Sequence, residues 1–225
     1  VLREWDGRFD VEAKGAVLYS LMQRELALRC FAPLLGIDIT RRYVNSRRAI
    51  PRVHRVLLNP HEPLRLDIEQ AAGKDFPTLL GEAFEAAVRS AVDAHGVDPT
   101  KWKWGNAQFI RLGTPFAELP AIGRWFQTLD APFPGDFYTL SPSIAVPAGK
   151  RLRAFVGATS RFICDLSRPD EAWFAHSSGP SGDIGSTFFS NLSRPWLRFE
   201  YFRSALWRPE EIPDPVERIV IAGGN

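Results

Sequence analysis

The feature that most limits what this chain can fold into is a change of character near Lys101. Before that point apolar residues recur at helical spacing. After it prolines, glycines and aromatics become frequent, and short apolar runs replace the helical period. Helices first and Pro-rich strands later imply an α+β chain, or the end of a layered sheet-and-helix fold. The expected organisation is a mainly helical region over 1–100 and a β-rich region over 101–225, together one incomplete structural unit.

From Phe9 to Phe31, residues Val11, Ala16, Val17, Leu18, Leu21, Met22, Leu26 and Leu28 return at spacings of three and four. Glu12, Lys14, Gln23, Arg24 and Arg29 fill the positions between, so the spacing predicts a helix that buries one stripe and stops at Pro33 and Gly36. A second helix is expected from an Asp75 or Thr78 cap, with Pro77 in its first turn, a stripe running from Phe76 to Val92, and Gly96 at its end. Ala107–Leu112, Phe137–Ile144, Leu152–Gly157, Arg161–Leu166 and Leu197–Phe202 read as strands, with turns at Pro134-Gly135-Asp136 and Pro147-Ala148-Gly149. Pro209-Glu210-Glu211 resembles a helix first turn, and Arg218–Ala222 reads as a last strand.

Composition excludes several classes. At 225 residues, 45% hydrophobic and 24% charged, the chain can bury a core, and its 17 glycines and 18 prolines fall short of a low-complexity share. Cys30 and Cys164 alone cannot build a disulfide scaffold, and they leave the redox compartment open. A net charge of +2 argues against general polyanion binding, though not against a local patch. No apolar run reaches the ~18 residues of a membrane span. The start, Val1-Leu2-Arg3-Glu4-Trp5-Asp6, shows neither a signal peptide nor an initiator Met, so the expectation is a processed product or a piece of something longer.

The search for chemistry turns up few candidates. Residues 39–61 hold six arginines (Arg41, Arg42, Arg47, Arg48, Arg52 and Arg55) and no acid, interleaved with Tyr43 and His54. Such a run is a solvated face, a surface for an acidic partner, or a track for a phosphate backbone. His54, His61, His95 and His176 have no metal-type spacing, and Gly179-Pro180-Ser181-Gly182 lacks a spacer residue of a nucleophile elbow. The small, polar stretch Ala175–Ser186 is either a site loop or an ordinary surface loop. Phe155–Leu166 reads as an apolar, buried strand that carries Arg161 and Asp165, with Arg161, Ile163 and Asp165 alternating onto one face. Either the two charges pair, or the carboxylate binds backbone N–H groups, or Asp165 orients a catalytic group.

Taken in order, several segments resemble the β subunit of the penicillin amidase family. They are Leu2–Gly7 with Gly15–Tyr19, Trp104-Gly105, Gly135-Asp136 with Thr139, Gly157–Arg161 with Asp165-Leu166, Gly179–Asp183 with Ser186, and the aromatics Trp196 and Tyr201-Phe202. The resemblance implies part of a four-layer αββα fold of an N-terminal-nucleophile hydrolase. In such enzymes a precursor cleaves itself, and a β-subunit Ser attacks an amide carbonyl with its own α-amine as base. An α-amine near pKa ~7.7–8.0 suits that task, and an oxyanion hole stabilises the tetrahedral intermediate.

The matched landmarks correspond to the C-terminal portion of the β subunit. The resemblance therefore implies that nucleophile and oxyanion hole lie upstream, and that the isolated chain does not hydrolyse amides. It implies no cofactor in this chain, and leaves room for calcium in the full-length parent. The implied partners are the upstream part of the precursor, namely the rest of the β subunit and the α subunit, and in the parent a small-molecule amide. No nucleic acid and no membrane are implied, and the implied location is periplasmic or secreted. Asp165, by its place in the Arg-x-x-x-Asp-Leu run, is implied to orient a catalytic group or support self-processing, with Arg161 as its neighbour. The chain departs from the family pattern at Gln108, Thr114, Pro180 and Phe188-Phe189. The alternative from another class is a self-contained binding module that uses the Arg41–Arg55 run.

Overall fold

The computed structural model describes residues 1–46, 48–168 and 171–204. Arg47 and the elements expected at 209–211 and 218–222 lie outside the described residues. The fold is α+β. Five helices come first: α1 (Gly15–Leu35), α2 (Ile37–Asn45), α3 (Ile50–Leu58), α4 (Pro63–Ala72) and α5 (Phe76–His95). A one-turn α6 (Trp104–Ala107) leads into β1 (Gln108–Gly113) and β2 (Gln127–Pro132), then β3 (Ser143–Ala148), β4 (Arg151–Gly157), β5 (Ser160–Cys164) and β6 (Ala172–His176). A short α7 (Ser193–Leu197) and β7 (Phe202–Ser204) follow.

By contacts the chain divides into two compact units, residues 1–111 with 130–158, and residues 112–129 with those from 159 onward. In the first, α1 packs along α5. Leu26, Cys30 and Phe31 of α1 meet Val53 and Val56 of α3, Ile68 of α4 and Phe76, Leu79 and Ala83 of α5 in one buried cluster. A second cluster joins Phe9, Val17, Ala87, Ala91, Trp102 and Trp104. The α5 start is fixed as the sequence predicts: the Asp75 carboxylate accepts from Thr78 N at 2.9 Å, and Pro77 sits in the first turn. The first helix begins later than expected, at Gly15, where a Cβ would strike the Trp5 ring. It also runs through Pro33 to Gly36, because a proline in the last turn does not stop the turns before it.

One sheet has the order β2-β1-β4-β3, with β1 parallel to β4 and β3 antiparallel to it. Its position is set by the turn at Gly135, which adopts a left-handed φ of 87°. The Gly135 carbonyl accepts from Trp104 Nε1 at 3.0 Å and from Gln108 Nε2 at 3.0 Å, and Gln108 Nε2 also reaches Phe133 O at 3.1 Å. The second sheet, β5-β6-β7, is antiparallel throughout.

The structure differs from the expected strands in four places. Residues 137–142 turn instead of extending, with Asp136 O accepting from Thr139 N and Ser143 N, so β3 starts only at Ser143. The strands expected at Leu152–Gly157 and Arg161–Leu166 are present as β4 and β5, in two sheets, but Phe162 and Ile163 are 63% and 50% exposed rather than buried. In Leu197–Phe202, Leu197 ends α7, residues 198–201 lie outside any helix or strand with Phe199 at φ 61°, and only Phe202 is in a strand, as the first residue of β7. Strands β2 and β6 were not expected.

Candidate functional site

The two residues singled out on the sequence receive different partners. Arg161 rises from β5 toward α7, where its Nη1 donates to Trp196 O at 2.7 Å. Its guanidinium lies 4.8 Å from the Trp196 ring centroid and 4.4 Å from that of Phe199. Its Nε and Nη2 are buried with no hydrogen-bond acceptor among the described residues. Burial pushes the pKa of Arg161 below the ordinary arginine value, opposed by Tyr201, yet a guanidinium stays charged in proteins. It is therefore a cation clamped between two rings beneath a sheet.

Asp165 lies just past the end of β5 and is exposed. Its Oδ1 accepts from Ser167 N at 2.9 Å and Ser167 Oγ at 2.8 Å, and its Oδ2 meets Arg168 Nη2 at 3.5 Å. The Ser167 hydroxyl, then the Ser167 amide and Arg168, hold this carboxyl below the usual aspartate range. It is an ionised, solvent-facing carboxylate with a fixed orientation, the form required of a group that must accept a hydrogen bond. Among the described residues Asp165 bonds a backbone N–H and does not pair with Arg161.

The glycine-rich stretch is stitched to its own surroundings. Ser177 N donates to Thr159 O at 2.9 Å, Ser193 Oγ to Ser177 O at 2.8 Å, and Gly179 N to Phe189 O at 3.2 Å. Asp183 Oδ1 caps Gly185 N at 2.8 Å. This is loop architecture against α7, tied by neighbouring backbone and serine groups, while His176 and Asp183 remain exposed. The basic run is similarly occupied in part: Arg55 meets Glu62 at 3.1 Å, and Arg52 Nε donates to Tyr43 Oη at 2.9 Å.

Sequence reasoning missed a polar node in the first unit. Gln23 Nε2 and His54 Nε2 lie 2.7 Å apart, with Tyr19 Oη 3.4 Å from the same nitrogen. Burial lowers the His54 pKa while the Asp136 charge works the other way. These side chains and Trp5, Phe9 and Tyr138 line a cavity of about 300 Å³. Tyr19 and His54 are 35 residues apart, so no local spacing announces the node. Among the described residues no three His, Cys, Asp or Glu side chains converge to hold a metal, and no helix is long and apolar enough to cross a membrane.

Against known protein families, residues 1–213 match the model described as penicillin amidase. The chain belongs to the penicillin amidase family. A relative is the penicillin acylase 2 proenzyme of Pseudomonas sp. (strain SE83), 25% identical over 194 residues, a span of 85% of this chain. The match covers 24% of that relative, so the chain spans about a quarter of its length. Family membership suggests an amide hydrolase, and the proportion is consistent with a part of a larger precursor. Within this penicillin amidase family chain, Asp165 is the exposed, oriented carboxylate and Arg161 the half-buried cation held against α7.

Proposed function

We propose that this chain is the C-terminal portion of the β subunit of a penicillin amidase-type N-terminal-nucleophile hydrolase. On this reading polypeptide elsewhere in the precursor completes the four αββα layers and supplies nucleophile, base and oxyanion hole. The chain itself lacks the nucleophile. The observation that carries the reading is the family match over residues 1–213 beside coverage of only 24% of a proenzyme relative. The exposed row Phe162, Phe174 and Phe202, which no described residue covers fully, supports it, since an open apolar sheet face is what a missing layer would cover. The substrate is a small amide cleaved through an acyl-enzyme, and the location is periplasmic or secreted.

In the assembled enzyme Asp165 acts as a positioning residue. Ser167 fixes its Oδ1, which leaves Oδ2, shared only with Arg168 at 3.5 Å, to orient a donor on the adjoining polypeptide. The test is a burst assay with a chromogenic amide. The chain alone is expected to release no chromophore, and the chain assembled with its precursor partner to show an acyl-enzyme burst. Asp165→Asn in the assembled protein should slow maturation or lower kcat with KM unchanged, and Asp165→Glu should recover part of the loss. A burst from the chain alone, or kinetics unaltered by Asp165→Asn, would overturn the respective half of the proposal.

A further inference from the structure

The first unit contains a second cavity, of about 320 Å³, between α1, the last turn of α5, α6 and the β3–β4 hairpin. That volume lies at the lower end of the ~300–1,000 Å³ typical of small-ligand sites. Its floor is apolar: Val17 and Leu21 of α1, Ala107 of α6 and Leu152 of β4. Among the described residues its ionisable lining consists of Arg24, Lys150, Arg151 and His95, with no carboxylate.

Two of the three cations are partly committed. Lys150 Nζ donates to Asp93 O at 3.1 Å, in the last turn of α5, and so offsets the roughly half negative charge of that helix end. Arg151 donates to Gly105 O at 3.4 Å and lies 4.5 Å over the Phe109 ring. Each keeps further N–H donors, since an ammonium has three and a guanidinium five. Arg24 is exposed, with no hydrogen bond or ion pair among the described residues. Burial, and then the Arg151 charge, hold the His95 pKa below its ordinary value, so near neutrality it is an uncharged donor or acceptor. A surplus of positive charge thus faces an apolar floor. That combination repels ammonium compounds and leaves a neutral alcohol with little to bind.

We propose that this cavity binds a small amphiphilic carboxylate, with its apolar tail on Val17, Leu21 and Leu152 and its carboxylate on Arg24 and Arg151. The proposal is independent of the amide hydrolysis argued above. Calorimetric titration of the chain with sodium octanoate tests it, with octan-1-ol and octylammonium as matched probes. Octanoate is expected to bind saturably at one site, and the other two probes to bind at least tenfold more weakly. Loss of one charge-assisted bond in Arg24→Gln should weaken octanoate by about tenfold to a hundredfold. Ala94→Phe should abolish binding by filling the space. Arg24 is an exposed helix position, so Arg24→Gln keeps the fold, and near-UV dichroism confirms it for each variant. Equal binding of the alcohol or the amine, no saturable heat with the folded chain, or an Arg24→Gln variant with unchanged affinity would each overturn the proposal.

Discussion

The helical core and the small sheet β5-β6-β7 solve the same problem with different success. Around α1 and α5 the apolar stripes close on one another, and Leu26, Cys30, Val56, Ile68 and Ala83 are all essentially removed from water. Among the described residues the small sheet is covered well on one side only. There Trp196 is fully buried and clamped to Arg161, while register pairing aligns Phe162, Phe174 and Phe202 across the other side, 63%, 36% and 37% exposed. Burial of a phenylalanine is worth ~1.5–3 kcal/mol, so the open row forgoes much of what it could contribute. The difference teaches that helix pairs in this chain supply each other's cover, whereas this sheet lacks a layer on one face among the described residues.

The contrast can be broken most severely at Trp196. Trp196→Ala removes the fully buried indole beneath the small sheet and one of the two rings against the Arg161 guanidinium, while the bond to the carbonyl of residue 196 remains, with an expected loss of about 3–5 kcal/mol. Urea unfolding of the variant measures it. In the helical core Leu26→Ala should cost about 2–5 kcal/mol by the same assay, the lower end applying if α1 and α5 can settle together.

A pH series then sharpens the comparison, because the core buries titratable groups of both kinds. His54 and His95 have pKa values lowered by burial, so their contribution is present above the unfolded value of 6.5 and is lost as pH falls through the lowered folded values. The Cys30 thiol is pushed up to about 12 by burial from 9.0, so its contribution is present below pH 9.0 and lost as pH rises toward 12. Stability against urea should decline at both ends, and His54→Asn should flatten the acid limb. The smallest effect is expected on the open face. Phe162→Ser, at the most exposed position of the row, should change stability by no more than about 0.5 kcal/mol while clearly reducing fluorescence of a bound apolar dye.

Much of the helical part could be read directly from the residues. The α5 cap, its stripe and its Gly96 end follow from local chemistry: a carboxylate aimed at a free N–H, a proline where no N–H is needed, a glycine at φ 86°. The order of helices and strands was also legible, as was the family. Of the strands, β1, β4 and β5 were legible, whereas β2, β6 and the start of β3 were not, because their limits are set by partners distant in sequence. Within Phe155–Leu166 the residues do not show that β4 pairs with β1 and β3 while β5 pairs with β6. Its apolar content suggested burial, and only the count of layers above it reveals exposure. Asp165 was visible as an anomaly, but its true neighbours, Ser167 and Arg168, are local turn residues rather than the strand-mate Arg161. The His54 node was invisible, since its members come from separate helices and loops.

The carbonyl of Gly135 has a consequence for how this protein tolerates change. Two indole and amide donors, from Trp104 and Gln108, serve that single oxygen. Removal of either leaves the other in place, so each loss alone is cushioned. Removal of both strips a buried oxygen bare, and the combined penalty should exceed the sum of the separate ones. Positions 104 and 108 are therefore mutual insurance, and a survey that varied them singly would undervalue both.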